Sequence, residues 1–130
     1  MDELKKILYV EDQMDIQLIA QVALQKIGGF DVSMCSGAEE ALNAVRNFKP
    51  DLFLLDVMMP GMDGPTLFTE LKKIPELSHI PVIFMTAKLQ PKEIENLLNM
   101  GAIHVIPKPF EPMTLADELR EIWQQNKAKI

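Results

Sequence analysis

The segment that most constrains the fold is the apolar run at residues 52–55, which ends in a single carboxylate, Asp56. A run without polar residues is typical of a strand that is buried on both faces of a parallel sheet. Pro60, Gly61 and Gly64 follow shortly afterwards and predict a turn. Because open α/β sheets bind ligands beyond the carboxyl ends of their strands, Asp56 is a candidate site residue. Taken alone, however, this acid is better interpreted as a residue that ends the strand and caps the loop.

Strand-like apolar segments alternate with segments of helical periodicity along the whole chain. The strand-like segments cover residues 6–10, 30–35, 52–56, 80–85 and 102–106. This alternation predicts an α/β fold, with a parallel sheet covered by helices on both faces. The second segment alternates and the fifth contains His104, as edge strands do, whereas the other three are almost entirely apolar. A doubly wound, flavodoxin-like sheet of five strands in the order 2-1-3-4-5, with five helices, satisfies these preferences.

The helical segments carry more detailed expectations. The first is predicted over residues 14–27, and the second is predicted to end near Phe48. Ser36 and Glu39 have the spacing of a capping box and would begin the second helix. Helical spacing also predicts which side chains face the core. In the first helix they are Ile16, Ile19, Ala20, Ala23 and Ile27, and in the fourth Ile94, Leu97 and Leu98.

Composition limits the classes of function. A chain of 130 residues with 48% hydrophobic and 25% charged residues is expected to form one globular domain. The net charge of −6 argues against direct nucleic-acid binding, which needs a basic surface. Cys35 is the only cysteine, which excludes an internal disulfide and fits a reducing compartment. The sequence contains neither a signal-peptide core nor an apolar run long enough to span a membrane, so we expect a cytoplasmic protein.

Polar residues follow four of the five predicted strands. Glu11 and Asp12 follow the first, Asp56 ends the third, Thr86 ends the fourth and Lys108 follows the fifth. In a parallel sheet these strand ends share one edge, so the side chains are expected to lie close together. Three neighbouring carboxylates repel one another. A hard divalent cation relieves this repulsion, and Mg²⁺ is the expected one.

Beside such a cation, Asp56 could act as a nucleophile on phosphorus and form an aspartyl phosphate. Lys108 would supply a positive charge, and Thr86 a hydroxyl donor, for the phosphoryl oxygens. Each residue also has a plain structural alternative. Thr86 could be a strand cap, Lys108 a solvated surface lysine, and Glu11 and Asp12 acids that favour a helix N-terminus. Their placement at one sheet edge favours a shared site.

These residues lie in segments that resemble the receiver domain of two-component response regulators, close to the single-domain chemotaxis regulator. The segments are residues 9–12 (YVED), 55–64 (LDVMMPGMDG), 81–87 (PVIFMTA) and 108–110 (KPF). The resemblance implies that Asp56 accepts a phosphoryl group from a histidine kinase or a histidine phosphotransfer protein. It also implies that Asp12, Asp56 and the backbone carbonyl of Met58 bind Mg²⁺, with Glu11 assisting through water. Thr86 and Lys108 would contact the phosphoryl group, and the peptide bond between Lys108 and Pro109 would be cis.

The sequence departs from this pattern at one switch position. Members of the family often carry an aromatic residue three positions before the lysine, where this chain has Val105, a small and stiff side chain. Met58 and Lys88 occupy the loop positions that tune hydrolysis of the aspartyl phosphate in the family. Lys88 could reach the phosphoryl group or be solvated, and both readings stay open.

We therefore expect residues 1–130 to form a single receiver domain without an output domain, which signals by binding a downstream protein. It would not be an enzyme beyond the phosphorylation and dephosphorylation of its own Asp56. Two alternatives remain: a non-switching interaction module, suggested by Val105, and the receiver fragment of a longer DNA-binding regulator. A phosphatase would need a general acid beside Asp56, where Val57 and Met58 stand. A flavin binder would not place acids in its phosphate loop.

Overall fold

The computed structural model describes residues 3–88 and 90–128. Within these residues, five parallel strands form one sheet in the order β2-β1-β3-β4-β5, which confirms the predicted fold class and strand order. The strands are β1 (Lys6–Val10), β2 (Asp31–Cys35), β3 (Leu52–Asp56), β4 (Val82–Thr86) and β5 (His104–Pro107). β3 and β4 are buried throughout, whereas β2 and β5 are partly exposed, as the predicted edge positions require.

The pairing register brings the carboxyl ends of the strands to one edge. Val10 pairs with Leu55, Asp56 pairs with Met85, and Thr86 pairs with Pro107. The residues that directly follow β1 and β5 therefore lie beside the ends of β3 and β4. This register, set by strands buried on both faces, positions the polar groups of the candidate site.

Helices connect the strands and cover both faces of the sheet. They are α1 (Met14–Gln21), α2 (Ala38–Ala44), α3 (Gly64–Lys72), α4 (Pro91–Met100) and α5 (Leu115–Ala128). Asp63 caps α3 by accepting a hydrogen bond from the N–H of Thr66 at 2.9 Å. α4 ends at Gly101, whose φ of 121° favours glycine. Among the described residues, no helix is long and apolar enough to cross a membrane.

Alternate residues of the central strands point to opposite faces of the sheet and pack into two core layers. Leu8, Phe53 and Phe84 belong to the layer that contains the buried residues of α2 and α3. Tyr9 and Leu54 belong to the opposite layer, together with the buried residues of α5. The two layers fix the central strands from both sides and leave the carboxyl edge open for the site.

The first helical segment differs from its prediction. The α-helix gives way to a π-helical segment at Val22–Ile27, in which the N–H of Gly28 bonds to the carbonyl of Ala23. A π-helix has more residues per turn, so the inward-facing positions shift along the sequence. Leu24 is therefore buried, whereas Ile27, predicted to face the core, is 44% exposed. Ile19, also predicted to face the core, lies in α1 before this segment and is 47% exposed.

Three further helix expectations were wrong, two in α2 and one in α4. The capping box is not formed: α2 begins after Gly37, and the N–H of Ser36 bonds to Glu40 Oε1 at 2.7 Å instead of pairing with Glu39. Because the chain tightens into a turn after Ala44, α2 also ends before Phe48. In α4, Leu98 is 43% exposed, since this helix buries a narrow stripe on which only Leu97 is fully covered.

Candidate functional site

Three carboxylates meet at the carboxyl edge of the sheet. Glu11 and Asp12 follow β1 directly, and Asp56 is the last residue of β3. One oxygen from each side chain lies within 4.8 Å of the other two. Glu11 and Asp56 are buried and Asp12 is half-buried, so these negative charges are poorly screened by water.

Lys108 partly neutralises these acids. Its Nζ lies 2.9 Å from Oδ1 of Asp56 and 3.1 Å from Oε1 of Glu11, and its side chain is only 12% exposed. Burial alone would lower the pKa of Lys108, but hydrogen bonds and charge from Asp56 and Glu11 raise it, so the ammonium group stays charged. The backbone N–H of Lys108 donates to the carbonyl oxygen of Thr86 at 3.0 Å, which ties the lysine to the end of β4. The peptide bond between Lys108 and Pro109 is cis, as the resemblance implied.

The charge of Asp56 is held at a cost in free energy. Burial raises its pKa, the hydrogen bond from Lys108 lowers it, and the charges of Glu11 and Asp12 raise it further, with a result of about 6. One lysine therefore does not compensate for three acids. The remaining negative charge favours any additional cation at this edge.

Glu11 is fixed by three protein donors. Lys108 and the hydroxyl of Tyr9, at 3.3 Å, both contact Oε1, while the N–H of Gln13 donates to Oε2 at 3.2 Å. Burial and the neighbouring charge of Glu11 raise the pKa of Tyr9, so its hydroxyl keeps the proton that it donates. Glu11 is thus oriented by β1 and by the loop that follows it.

Thr86 and Met58 line the same cavity as Asp56. The cavity has a volume of about 480 Å³, and Asp12 and Lys108 also contribute to its wall. Thr86 is buried, and its Oγ1 accepts a hydrogen bond from the N–H of Lys88 at 3.0 Å. A hydroxyl in this position can turn its own proton toward a ligand in the cavity. The wall continues into an apolar rim formed by Ile16, Ile19, Phe110 and Pro112.

The donor set suits a hard divalent cation. Carboxylate oxygens with room for water are ligands that Mg²⁺ prefers, and all three clustered side chains, those of Glu11, Asp12 and Asp56, are carboxylates. The surplus negative charge around Asp56 provides the driving force for binding. The residues present therefore fit Mg²⁺.

The backbone behind Asp56 is closely packed. The N–H of Gly64 donates to the carbonyl of Val57 at 2.9 Å, and the N–H of Val57 donates to Met85 at 3.0 Å. A Cβ atom at Gly64 would lie 2.2 Å from the carbonyl oxygen of Asp56. Glycine at position 64 therefore allows the start of α3 to pass directly against the candidate phosphoacceptor.

The structure brings together the six residues predicted for the site. They are Glu11, Asp12, Asp56, Met58, Thr86 and Lys108. The sequence indicated Tyr9 only as a strand residue and Gly64 only as a turn former. A signal for Tyr9 existed, because residues two apart on a strand point to the same face, and Tyr9 precedes Glu11 by two positions. The role of Gly64 depends on a close backbone contact with Asp56 across the turn between β3 and α3, which residue spacing does not reveal.

Comparison with known proteins assigns the family. The sequence matches the response regulator receiver domain over residues 7–120. The chain belongs to the receiver-domain family of response regulators. Receiver domains act in two-component signalling, and the family is one of signalling domains rather than of ordinary enzymes.

The relatives include proteins of greater length. The chain is 36% identical over 125 residues to "Probable transcriptional regulator ycf27" of Guillardia theta, and covers 48% of it. It is 34% identical over 122 residues to "DNA-binding response regulator MtrA" of Mycobacterium tuberculosis, and covers 52% of it. The alignments take in 95% and 94% of this chain, respectively. The chain thus spans about half the length of these curated relatives.

Solved structures of similar size share the fold. The chemotaxis protein CheY4 of Vibrio cholerae superposes with a TM-score of 0.84 at 26% identity, over 92% of this chain and 98% of that one. A response regulator from Desulfuromonas acetoxidans superposes with a TM-score of 0.82 at 32% identity, over 93% and 98% of the two chains. These similarities agree with the predicted receiver fold.

Proposed function

We propose that Asp56 is the phosphoacceptor of this receiver domain, and that a histidine kinase or a histidine phosphotransfer protein supplies the phosphoryl group. The observation that carries the proposal is the arrangement of Lys108 against Asp56 within a cluster of three acids. A buried carboxylate that merely ended a strand would gain nothing from two further acids beside it. As a partner of such kinases, the chain would act in the cytoplasm.

Asp12, Asp56 and the backbone carbonyl of Met58 would hold Mg²⁺, with Glu11 assisting through water. When bound, the cation offsets the charge of the phosphoryl oxygens and orients the donor. Before phosphorylation, Asp12 and Asp56 also benefit from a cation because their own charges repel. Metal binding would therefore increase the rate at which Asp56 is phosphorylated.

In the transfer step, a carboxylate oxygen of Asp56 forms a bond to the phosphorus atom. The bond between phosphorus and the donor's imidazole nitrogen breaks, and its electron pair leaves with the imidazole. Lys108 Nζ moves from the carboxylate of Asp56 to a phosphoryl oxygen, and the hydroxyl of Thr86 donates to another. Both groups already lie beside Asp56, with Lys108 Nζ at 2.9 Å and Thr86 on the wall of the same cavity, so each has only a short distance to move.

The phosphorylated state would be read by a downstream protein. Movement of Thr86 toward the phosphoryl group would pull the loop before α4 and alter the surface of α4 and β5. Val105 is half-buried at this surface and packs against the core layer of α2 and α3. Because Val105 has no aromatic ring that could rotate, the main change of this surface on phosphorylation would be movement of the Thr86 loop.

A second candidate is the receiver portion of a longer transcriptional regulator. Two relatives are named as a transcriptional regulator and a DNA-binding response regulator, and the chain spans about half of their length, which favours this candidate. DNA binding would then belong to another part of that protein, since the net charge of −6 on these residues opposes direct contact with nucleic acid. The phosphoacceptor chemistry proposed for Asp56 is the same in both cases.

Intact-protein mass spectrometry after incubation with acetyl phosphate tests the proposal. We expect a gain of one phosphoryl group that requires Mg²⁺ and is absent in Asp56→Asn. Asp63→Asn is the matched control, because it removes a nearby exposed carboxylate while keeping a residue that can cap α3. Mg²⁺-dependent labelling of Asp56→Asn at the wild-type level would overturn the assignment.

A further inference from the structure

A buried tyrosine lies directly behind the acid cluster. The ring of Tyr9 is fully buried in the core layer that packs against α5, and its hydroxyl reaches Oε1 of Glu11 at 3.3 Å. An ionised carboxylate only accepts hydrogen bonds, so the hydroxyl is the donor. The hydroxyl, the only polar group of this otherwise apolar core side chain, therefore forms its hydrogen bond with one acid of the site.

This donor changes what Glu11 has available for other partners. Oε1 of Glu11 receives Tyr9 and Lys108, and Oε2 receives the N–H of Gln13. The side chain of Glu11 is fully buried, so bulk water does not replace a protein donor that is lost. Each oxygen of Glu11 is thus satisfied by the protein before any cation arrives.

Lys108 is shared between Glu11 and Asp56, at 3.1 and 2.9 Å. The proposed phosphoryl transfer requires Lys108 Nζ to leave this position for a phosphoryl oxygen. The more strongly Glu11 depends on Lys108, the harder that movement becomes. A second donor on Oε1 weakens this dependence.

We propose that Tyr9 is a positioning residue of the phosphoacceptor site. Its hydroxyl satisfies Glu11, so that Lys108 is free to follow the phosphoryl group and Glu11 does not draw the metal away from Asp12 and Asp56. The part of this inference that concerns phosphorylation rests on the proposed function of Asp56. The part that concerns metal binding does not.

Tyr9→Phe removes the hydroxyl and keeps the ring. Glu11 then has one donor fewer in a buried place, and it compensates by holding Lys108 and a divalent cation more tightly. Because a hydrogen bond of 3.3 Å is long, we expect a moderate effect. The dissociation constant for Mg²⁺ should fall about threefold to fivefold, and phosphorylation by acetyl phosphate at saturating Mg²⁺ should slow by a similar factor.

Tighter Mg²⁺ binding together with slower phosphorylation distinguishes a positioning role of Tyr9 from a general destabilisation of the core. Leu119→Ala, a truncation in the same core layer that removes none of the site's hydrogen bonds, serves as the control. It should lower the free energy of unfolding without tightening metal binding. In a Glu11→Ala background, Tyr9→Phe should change neither quantity, because its acceptor is gone.

The measurements are titration of MgCl₂ by calorimetry and the rate of mass gain with acetyl phosphate, for all five proteins including the wild type. Tighter Mg²⁺ binding with slower phosphorylation in Tyr9→Phe, both abolished in the Glu11→Ala background, supports the proposal. Failure of either shift, or weaker metal binding together with slower phosphorylation, overturns it. If the wild type gains no phosphoryl group, the proposed function of Asp56 fails, and the Mg²⁺ titration alone still decides the role of Tyr9.

Discussion

Lys108 and Asp56 form a 2.9 Å ion pair in which the lysine side chain is 12% exposed and the aspartate side chain 4%. The lysine comes from the loop after an edge strand and the aspartate from the end of the central strand, so the pair joins two parts of the sheet that are distant in sequence. Before phosphorylation, this ammonium group offsets part of the negative charge of the acids, and it therefore competes with a metal ion for them. The pair therefore links metal binding, stability and reactivity of the site.

Removal of Lys108 should not weaken metal binding. In Lys108→Ala, three acids lose the one side-chain cation that pairs with them among the described residues, and Mg²⁺ becomes the remaining way to offset their charge. We expect Mg²⁺ affinity to stay the same or rise by up to about tenfold, which corresponds to roughly 1.4 kcal/mol. Calorimetric titration measures it, with Lys73→Ala as the control, since Lys73 pairs with Glu70 on the exposed surface. A large loss of affinity would contradict the claim that the positive charge of Lys108 competes with Mg²⁺ for the three acids.

Stability should depend on pH through Asp56. The carboxyl group has an ordinary pKa of 3.8 and a pKa of about 6 in the folded protein, so between these values the folded state binds more protons than the unfolded state. The contribution of Asp56 to stability is therefore most favourable below pH 3.8 and is lost as the pH rises through 6.

It follows that Asp56→Asn, which has no charge to bury, should be more stable than the wild type at pH 7.5 without Mg²⁺. We expect a gain of roughly 1–3 kcal/mol in the free energy of unfolding, shrinking toward zero near pH 4. Urea denaturation at both pH values measures it, and Asp31→Asn, at an exposed edge position, should show no such gain. Equal stability of Asp56→Asn and wild type at pH 7.5 would contradict the view that the acid is held at a cost.

Much of this site follows from sequence, because its residues lie at strand ends. Asp56 and Thr86 end apolar runs, and the carboxyl ends of parallel strands share an edge, so their proximity could be predicted without coordinates. The inward face at the end of the first helical segment could not be predicted, since the π-helical turn shifts the positions that point inward and leaves Ile27 exposed. For Tyr9 and Glu11, the two-residue spacing predicts that both side chains share a face, but it does not give whether the hydroxyl reaches the carboxylate.

Gly64 should be intolerant of a side chain. In Gly64→Ala, the new Cβ would lie 2.2 Å from the carbonyl oxygen of Asp56, so the start of α3 or the end of β3 must move. We expect a loss of about 2–3 kcal/mol in the free energy of unfolding, and slower phosphorylation of Asp56. Thermal or urea denaturation and the rate of mass gain measure the two effects.

Gly37→Ala is the matched control for this substitution. Gly37 has extended backbone, and a Cβ there would meet no heavy atom within 4 Å among the described residues. Gly37 is the N-cap residue of α2, where glycine is preferred to alanine, so we expect a small cost of less than about 1 kcal/mol. If both substitutions cost the same, the contact between Gly64 and Asp56 is not what restricts position 64.

The most direct test of the account is to trap the phosphorylated residue chemically. Borohydride reduces an acyl phosphate to an alcohol, so an aspartyl phosphate becomes homoserine, which tandem mass spectrometry locates in the sequence. After treatment with acetyl phosphate and Mg²⁺, we predict homoserine at position 56 and unmodified aspartate at position 12. Homoserine at another position, or none in a protein that is folded and binds Mg²⁺, would contradict the claim that Asp56 is the phosphoacceptor.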